Sequence, residues 1–374
     1  MLVTFLWRGN DSTRNVGVWG IVFGGPPSDY QMRRLSNSDV WYVTLRLPAG
    51  SRFTYGLSPN APVGPEFGSP RFQQRVATMQ RDPLNPLREP GCPADATRYE
   101  CPSMAELPGV ASQSWIVPNR STPSGKVERH TFKSDILKNE RAISVYMPGG
   151  YRADGPPSAL LVVLDGPAYL GPVPTPTILD NLIAAKKIPP VVAIFVANAS
   201  GARSKELPPN PDFAEFLATE LQPWVHAHYS ASSDPRRTVI AGSSFGGLAA
   251  TYAGLRHSEL FGNVLCQSGS FWWAPDRAAD PNPDATTETG WLAKEFIKSP
   301  TKPLRFWMEA GVFEVDARGT GGVNLETSRH MRDVLLAKGY EAHYSQFAGG
   351  HEYLNFRGTF ADGLIALIGT KPSP

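Results

Sequence analysis

No apolar run in this chain of 374 residues is long enough to cross a membrane. The longest, ALLVVL at 159–164 and VVAIFVA at 191–197, fall far short of the roughly 20 residues a spanning helix needs. They read instead as strands buried on both faces. An excess of one charge is also missing: 36 Lys and Arg stand against 34 Asp and Glu, a net charge of +2. No long block of like charges occurs. That balance argues against a nucleic-acid binder, which would carry a basic patch or stripe. Cysteine is scarce, and Cys92, Cys101 and Cys266 make a poor disulfide framework. Cys92 and Cys101 are near enough in sequence to pair across a short loop, but reduced thiols in a cytoplasmic protein are the reading adopted. The opening MLVTFLWRGN has no basic stretch, extended apolar core or small-residue cleavage site, so no secretory signal is read there. A periplasmic location would need one upstream. Internal repeats and long low-complexity tracts are lacking too.

What is present has two textures. Residues 1–118 carry β-branched and aromatic segments, VTFLWRG, VGVWGIVFG and VWYVTLRLP, separated by Gly, Asn, Asp and Ser clusters. They predict a small all-β (immunoglobulin-like) sandwich. Residues 56–112, rich in Pro, Gly and polar side chains, read as its end and a long linker. From 119 to 374 short apolar runs alternate with helical segments. HTFKSDI and RAISVYMP look like a strand pair. ALLVVLDG, PVVAIFVAN, RTVIAGSS, NVLCQSGS and LRFWMEAG follow. Such alternation predicts a mostly parallel sheet covered on both faces, with working residues at the carboxyl ends of its strands.

The stretch VIAGSSFGGLAATYAG at 239–254 runs from predicted strand into predicted helix through Gly242-Ser243-Ser244-Phe245-Gly246. This is G-x-S-x-G in the context of a nucleophile elbow. A Cβ at Gly242 or Gly246 would collide with neighbouring backbone, and Gly247 widens the clearance. Ser244 is the candidate nucleophile, Ser243 turns away from it, and the Phe245 N–H is the candidate first oxyanion donor. A serine needs a base, and in this fold the acid and then the histidine follow the serine in the chain. His257 ends the elbow helix, His330 lies on an amphipathic helix and His343 lies within a strand. His351, in FAGGHEYLNFRG just past the last strand, has the position of the base. The acid belongs after the preceding strand, where Glu314 is preferred to Asp316. Its role is to fix the imidazole tautomer and stabilise the imidazolium.

With these residues placed, the chain resembles the enterochelin esterases, hydrolases that open catecholate siderophores. The resemblance spans nearly the whole sequence. It rests on VTFLWRG, SNSDVWYVTLRLP, RDPLNP, VVLDG, ARSKELPPNPDF, the block from Val239 to Trp273, FWMEAGVFE and GGHEYLNFRG. It implies a sandwich domain in front of an α/β-hydrolase domain, and hydrolysis of a cyclic trilactone of 2,3-dihydroxybenzoyl-serine, ferric or iron-free. It implies Ser244, His351 and Glu314 as the catalytic group and Arg203 as a substrate contact. No cofactor and no protein-bound metal is implied, since iron arrives with the substrate. The partner is that small molecule, with no nucleic acid or membrane.

Arg203 has its own rationale: it follows a strand, and a guanidinium supplies fixed donors and a permanent charge. A surface ion pair with Glu206 is the alternative. Phe271, Trp272 and Trp273 form either a wall for catechol rings or packing. Arg357 is either a second basic contact or a residue of the helix start. The family tends to carry Gln and an aromatic after LDG, where Pro167, Ala168 and Tyr169 stand here. Pro167 lacks an N–H, so Gly166 or Ala168 must give the second oxyanion bond. Where the family usually has Trp before the arginine, Phe356 stands. Two rivals are a feruloyl or acetyl-xylan type esterase and a siderophore-binding protein without turnover.

Overall fold

The structure, a computed structural model, describes residues 1–20, 27–62, 74, 77–88, 102–275, 290–315 and 324–370. It divides into two compact units.

The first unit comprises Met1–Ala111, Gly311–Gly321 and Phe347–Asn355. Its strands are β1 (Leu2–Arg8), β2 (Val16–Trp19), β3 (Arg33–Arg34), β4 (Val40–Arg46), β5 (Arg52–Pro59) and β6 (Ser103–Glu106). They form two three-stranded antiparallel sheets, ordered β1-β4-β3 and β2-β5-β6. Alternation puts Phe5 of β1, Val16 and Val18 of β2, and Phe53, Tyr55 and Leu57 of β5 into one buried core. The rings of Phe5 and Tyr55 meet edge-on at 4.9 Å. RDPLNP is folded onto this core: the Tyr55 hydroxyl donates to Asp82 Oδ2 at 2.7 Å and accepts from Asn85 Nδ2 at 3.0 Å. Asp82 also accepts from the Leu84 N–H at 2.8 Å, the local turn bond that aspartate before proline favours. Cys92 and Cys101 lie outside the described residues, so their pairing has no test here, while Cys266 is buried.

The second unit comprises Ser112–Ala310, Gly322–Gln346 and Phe356–Pro374. It carries β7 (Lys126–Ser134), β8 (Asn139–Met147), β9 (Ala159–Leu164), β10 (Val191–Val196), β11 (Thr238–Ser243), β12 (Asn263–Gln267), β13 (Arg305–Gly311) and β14 (Glu341–Phe347). They make one eight-stranded sheet in the order β14-β13-β12-β11-β9-β10-β8-β7. β7 and β8 are an antiparallel hairpin and β8 is antiparallel to β10. The run β10-β9-β11-β12-β13 is parallel. Every residue of β9 to β12 is buried, which is why these segments lack polar alternation. The helices are α1 (Gly166–Leu170), α2 (Thr175–Ala184), α3 (Arg203–Glu206), α4 (Pro211–Glu215), α5 (Gln222–His228), α6 (Phe245–Arg256), α7 (Trp291–Lys298), α8 (Asn324–Ala337) and α9 (Tyr353–Ile368). A π-helical stretch, Phe216–Leu221, joins α4 to α5. The chain is thus an α/β-hydrolase with a mostly parallel sheet, preceded by an all-β region. Among the described residues no helix is long and apolar enough to cross a membrane.

The grouping into units is not contiguous. The segments that follow β13 and β14, which hold Glu314 and His351, cluster with the first ~110 residues rather than with the strands that lead into them.

Candidate active site

β11 ends at Ser243, which is buried, and the chain turns into α6 at Ser244. Ser244 has φ 58° and ψ −125°, a conformation that costs a non-glycine residue about 1–3 kcal/mol. Neighbours hold it there: its N–H donates to the Gln267 carbonyl at 3.0 Å, and its carbonyl accepts from Ser270 at 3.1 Å and Leu248 at 3.0 Å. The glycines are forced by space. A Cβ on Gly242 would lie 2.5 Å from the Gly246 carbonyl carbon, and one on Gly247 2.8 Å from Cys266 Sγ. Ser244 Oγ is 3.3 Å from Ser270 Oγ. Phe245 opens α6, where unpaired N–H groups and the helix dipole favour developing negative charge.

β9 ends beside this elbow. Asp165, in the left-handed region at φ 55°, precedes α1, and a Cβ on Gly246 would lie 3.1 Å from Asp165 Oδ2. Gly166 has no room for a side chain either: a Cβ would come within 2.7 Å of the Phe195 carbonyl carbon. The Ala168 N–H is committed to the Asp165 carbonyl at 2.9 Å. The Ala168 N–H is therefore not available as an oxyanion donor.

Arg203 does not pair with Glu206. Its Nε and Nη2 donate to Asp165 Oδ1 and Oδ2 at 2.8 and 2.7 Å, with the arginine side chain 42% exposed and the aspartate 6%. Asn198 also donates to Asp165 Oδ1. Glu206 is buried and taken by Arg141, at 3.0 and 2.8 Å, and by Asn139 at 2.7 Å. Arg203 therefore stands at the elbow as half of a bidentate pair, its guanidinium carbon 5.8 Å from the centre of the Phe245 ring. On Phe245 also packs Trp272, with ring centroids 5.8 Å apart. Trp273 goes elsewhere: it is buried in the core, edge-on to Trp291 at 5.7 Å. Phe271 is buried in that core as well. Arg357 is buried in α9 and its Nε donates to Gln113 at 2.8 Å. Packing is the placement of these three.

In the first unit, His351 and Glu314 come together. His351 Nδ1 is 2.7 Å from Glu314 Oε2, and Glu314 Oε1 accepts the Gly311 N–H at 2.8 Å. The glutamate side chain is 1% exposed and the histidine 31%. Asp316 lies outside the described residues. The other downstream histidines have surface partners or positions. His257 sits 3.1 Å from Glu259, His343 3.6 Å from Glu341, and His330 is exposed on α8. Among the described residues, no group of three or more His, Cys, Asp or Glu gathers as a metal site.

Sequence reasoning missed a buried polar chain in the second unit. Tyr169 donates to Gln267 Oε1 at 2.8 Å, Gln267 donates to Glu309 Oε1 at 2.8 Å, and Thr359 donates to the same oxygen. Gln267 is the residue whose carbonyl holds Ser244, so the chain braces the elbow. Burial pushes the Glu309 carboxyl up to about 7, against the pull of its Thr359, Gln267 and Trp307 donors. A carboxyl raised in this way binds its proton more tightly folded than unfolded. Its contribution is full below about pH 4.5 and is lost as pH rises through about 7. Glu309→Gln should therefore gain on the wild type by roughly 2–3 kcal/mol between pH 5 and pH 8. Urea melts across that range check this, and parallel curves for the two proteins would refute it.

Residues 134–367 match a family model described as putative esterase, and residues 2–116 one described as the enterochelin esterase N-terminal domain. An iron(III) enterobactin esterase of Escherichia coli O6:H1 is 32% identical, over 98% of this chain and 90% of the relative. Among solved structures, a ferric enterobactin esterase from Salmonella typhimurium is 28% identical with a TM-score of 0.77, covering 98% of this chain and 93% of that one. The enterobactin esterase of Shigella flexneri, crystallised in the presence of enterobactin, is 29% identical with a TM-score of 0.75, over 98% and 92%. A strained serine elbow, a histidine bonded to a buried glutamate, and likeness over nearly the full length lead to one assignment: this chain belongs to the enterochelin esterase family and is a carboxylic ester hydrolase.

Proposed function

We propose that the protein hydrolyses the ester bonds of a cyclic 2,3-dihydroxybenzoyl-serine trilactone, ferric or iron-free, with Ser244 as nucleophile, His351 as base and Glu314 as its orienting acid. The observation that carries the assignment of roles is the bond of 2.7 Å between His351 Nδ1 and the buried Glu314 carboxylate. With Nδ1–H donating to Glu314, the other ring nitrogen, Nε2, is the acceptor that a serine proton requires. Ser244 Oγ attacks the ester carbonyl as His351 takes its proton. The Phe245 and Gly166 N–H groups stabilise the tetrahedral oxyanion. His351 then protonates the departing seryl oxygen, and water, deprotonated by the same imidazole, resolves the acyl-enzyme.

Arg203 and Trp272 serve as substrate contacts in this reading. The support is their common neighbour Phe245, next to the nucleophile. Because Arg203 is paired with Asp165, it acts as a fixed fork of donors more than as an isolated cation. A sandwich domain at 1–118 and a catalytic domain at 119–374 belong to the same reading, supported by the bounds of the two family matches. A cytoplasmic location goes with it, supported by the scarcity of cysteine in the sequence.

The test is chromatography of products from ferric and iron-free trilactone, with methyl ferulate in parallel. Progressive appearance of linear catechoyl-serine oligomers, with ferulate turned over far more slowly, is expected. Preferential ferulate hydrolysis, or tight binding of the trilactone with no products, would reject the assignment in favour of a carbohydrate esterase or a binding protein.

A further inference from the structure

Five residues, Ala348 to Glu352, connect β14 to α9, and His351 is the fourth of them. Two glycines, Gly349 and Gly350, sit just before it, so the backbone gives the histidine little rigidity of its own. Several bonds within the first unit hold this loop. The Phe347 carbonyl accepts from the Val312 N–H at 3.0 Å and the Gly349 carbonyl from the Phe313 N–H at 3.1 Å. Others come from β5.

β5 pairs with β6 through residues 52–55 and with β2 through residues 56–59. Over its first half, therefore, one edge lacks a strand among the described residues. The N–H groups of Arg52 and Thr54, two residues apart, point to one edge. Arg52 donates its N–H to the Ala348 carbonyl at 3.0 Å. Thr54 donates its N–H to Glu352 Oε1 at 3.1 Å, and its hydroxyl donates to the same oxygen. The Glu352 carboxylate, itself buried, thus occupies the place of the next carbonyl of a partner strand. β5 is in turn anchored, with Arg52 bonded through Nε to Glu106 at 2.6 Å and through Nη2 to the Ala111 carbonyl at 2.9 Å. On the other flank, Asn355 donates to the Gly350 carbonyl at 3.3 Å.

We propose that Thr54 and Glu352 are positioning residues for His351: the half-open edge of β5 is the mount on which the loop of the catalytic base is set, so the N-terminal region takes part in catalysis by holding the base. This rests on the reading of His351 as base. A charged acceptor with two donors on one oxygen is a strong and directional attachment, one residue from the imidazole. Loosening it leaves Glu314 and substrate contacts in place but lets the ring wander, and a displacement of about 1 Å at a reacting group costs up to about 100-fold in rate.

The experiment compares Thr54→Val, Thr54→Ser and Glu352→Leu, which removes the acceptor at similar volume, in the full chain. Steady-state kinetics on the trilactone, thermal midpoints and the labelling rate of Ser244 by a fluorophosphonate probe are measured. Thr54→Val and Glu352→Leu should each lower kcat by about 10- to 100-fold with KM within about twofold. Probe labelling should slow in parallel, since it too needs the base. Thr54→Ser, which restores the hydroxyl, should return to near wild type. The double variant Thr54→Val/Glu352→Leu should be little worse than the poorer single, because both break one attachment. Wild-type kcat and labelling in Thr54→Val, or losses that follow the thermal midpoint and are not rescued by Thr54→Ser, would overturn the proposal. If Glu352→Leu fails to fold, the Thr54 pair decides. Ser244→Ala separates the two readings: full activity in that variant defeats the catalytic assignment itself, whereas an inactive Ser244→Ala beside unaffected Thr54 and Glu352 variants defeats only the mount.

Discussion

Ser244→Ala should reduce kcat on the trilactone by about 10⁵- to 10⁶-fold, or about 7–8 kcal/mol of transition-state stabilisation. Alanine removes one atom and nothing else. The conformation at 244 is equally open to alanine, and the three backbone bonds that hold it, to Gln267, Ser270 and Leu248, survive. Only the 3.3 Å contact of Oγ with Ser270 is lost, so the thermal midpoint should move by no more than a few degrees. Ser270 carries a hydroxyl near enough to suggest a substitute. It is buried, and its N–H is already committed to the Ser244 carbonyl. Ser244→Ala/Ser270→Ala should accordingly fall no further than Ser244→Ala. Residual turnover above about 1% in the single variant would disqualify Ser244, because oxyanion donors and binding alone retain far less than that.

Glu314→Gln should lower kcat by about 10³- to 10⁴-fold with KM nearly unchanged. The magnitude follows from the two bonds of the carboxylate. Oε2 faces His351 Nδ1 and Oε1 accepts the Gly311 N–H, so both positions demand an acceptor. A carboxamide has only one acceptor oxygen. With oxygen toward His351, its NH₂ opposes the Gly311 N–H in a buried site. With oxygen toward Gly311, its NH₂ faces Nδ1 and holds the imidazole as the tautomer with hydrogen on Nε2, which accepts no proton from serine. Glu314→Asp, too short to span both partners, should lose less, since the charge remains. Pre-steady-state acylation with a chromogenic ester measures the step directly. A Glu314→Gln enzyme that acylates at the wild-type rate would show that the pair seen here is structural.

What the sequence disclosed was the part of the site built from local patterns. The elbow needs small residues at fixed offsets around Ser244, between an apolar strand and a small-residue helix, and those offsets are visible in the text of the chain. His351 emerged because the other downstream histidines had ordinary positions. Glu314 is close in sequence to a glycine whose N–H it binds, and so was readable as a loop acid, with Asp316 beside it. What stayed hidden depends on partners far away. The rival for Arg203 was its neighbour Glu206, yet Glu206 is drawn off by Arg141, 65 residues distant, and Arg203 by Asp165, 38 residues distant. Asp165 itself stood in the quoted VVLDG, and an aspartate at a strand's carboxyl end was a usable signal. Trp273 and Arg357 share residue types with the proposed contacts Trp272 and Arg203, and burial is what separates them. The bracing chain through Gln267 and Glu309 joins residues on different elements, which no period or spacing encodes.

The first unit is assembled from three stretches of chain, and its last stretch ends at Asn355. Thr54 and Glu352 are separated by 298 positions. On a ribosome adding roughly 5–20 residues per second, the small sheets emerge on the order of tens of seconds before the residues that complete them. During that interval the amides of Arg52 and Thr54 have no Ala348 and no Glu352 to bind. Until residues 348–352 have emerged, those two amides of the nascent chain stay open to other partners.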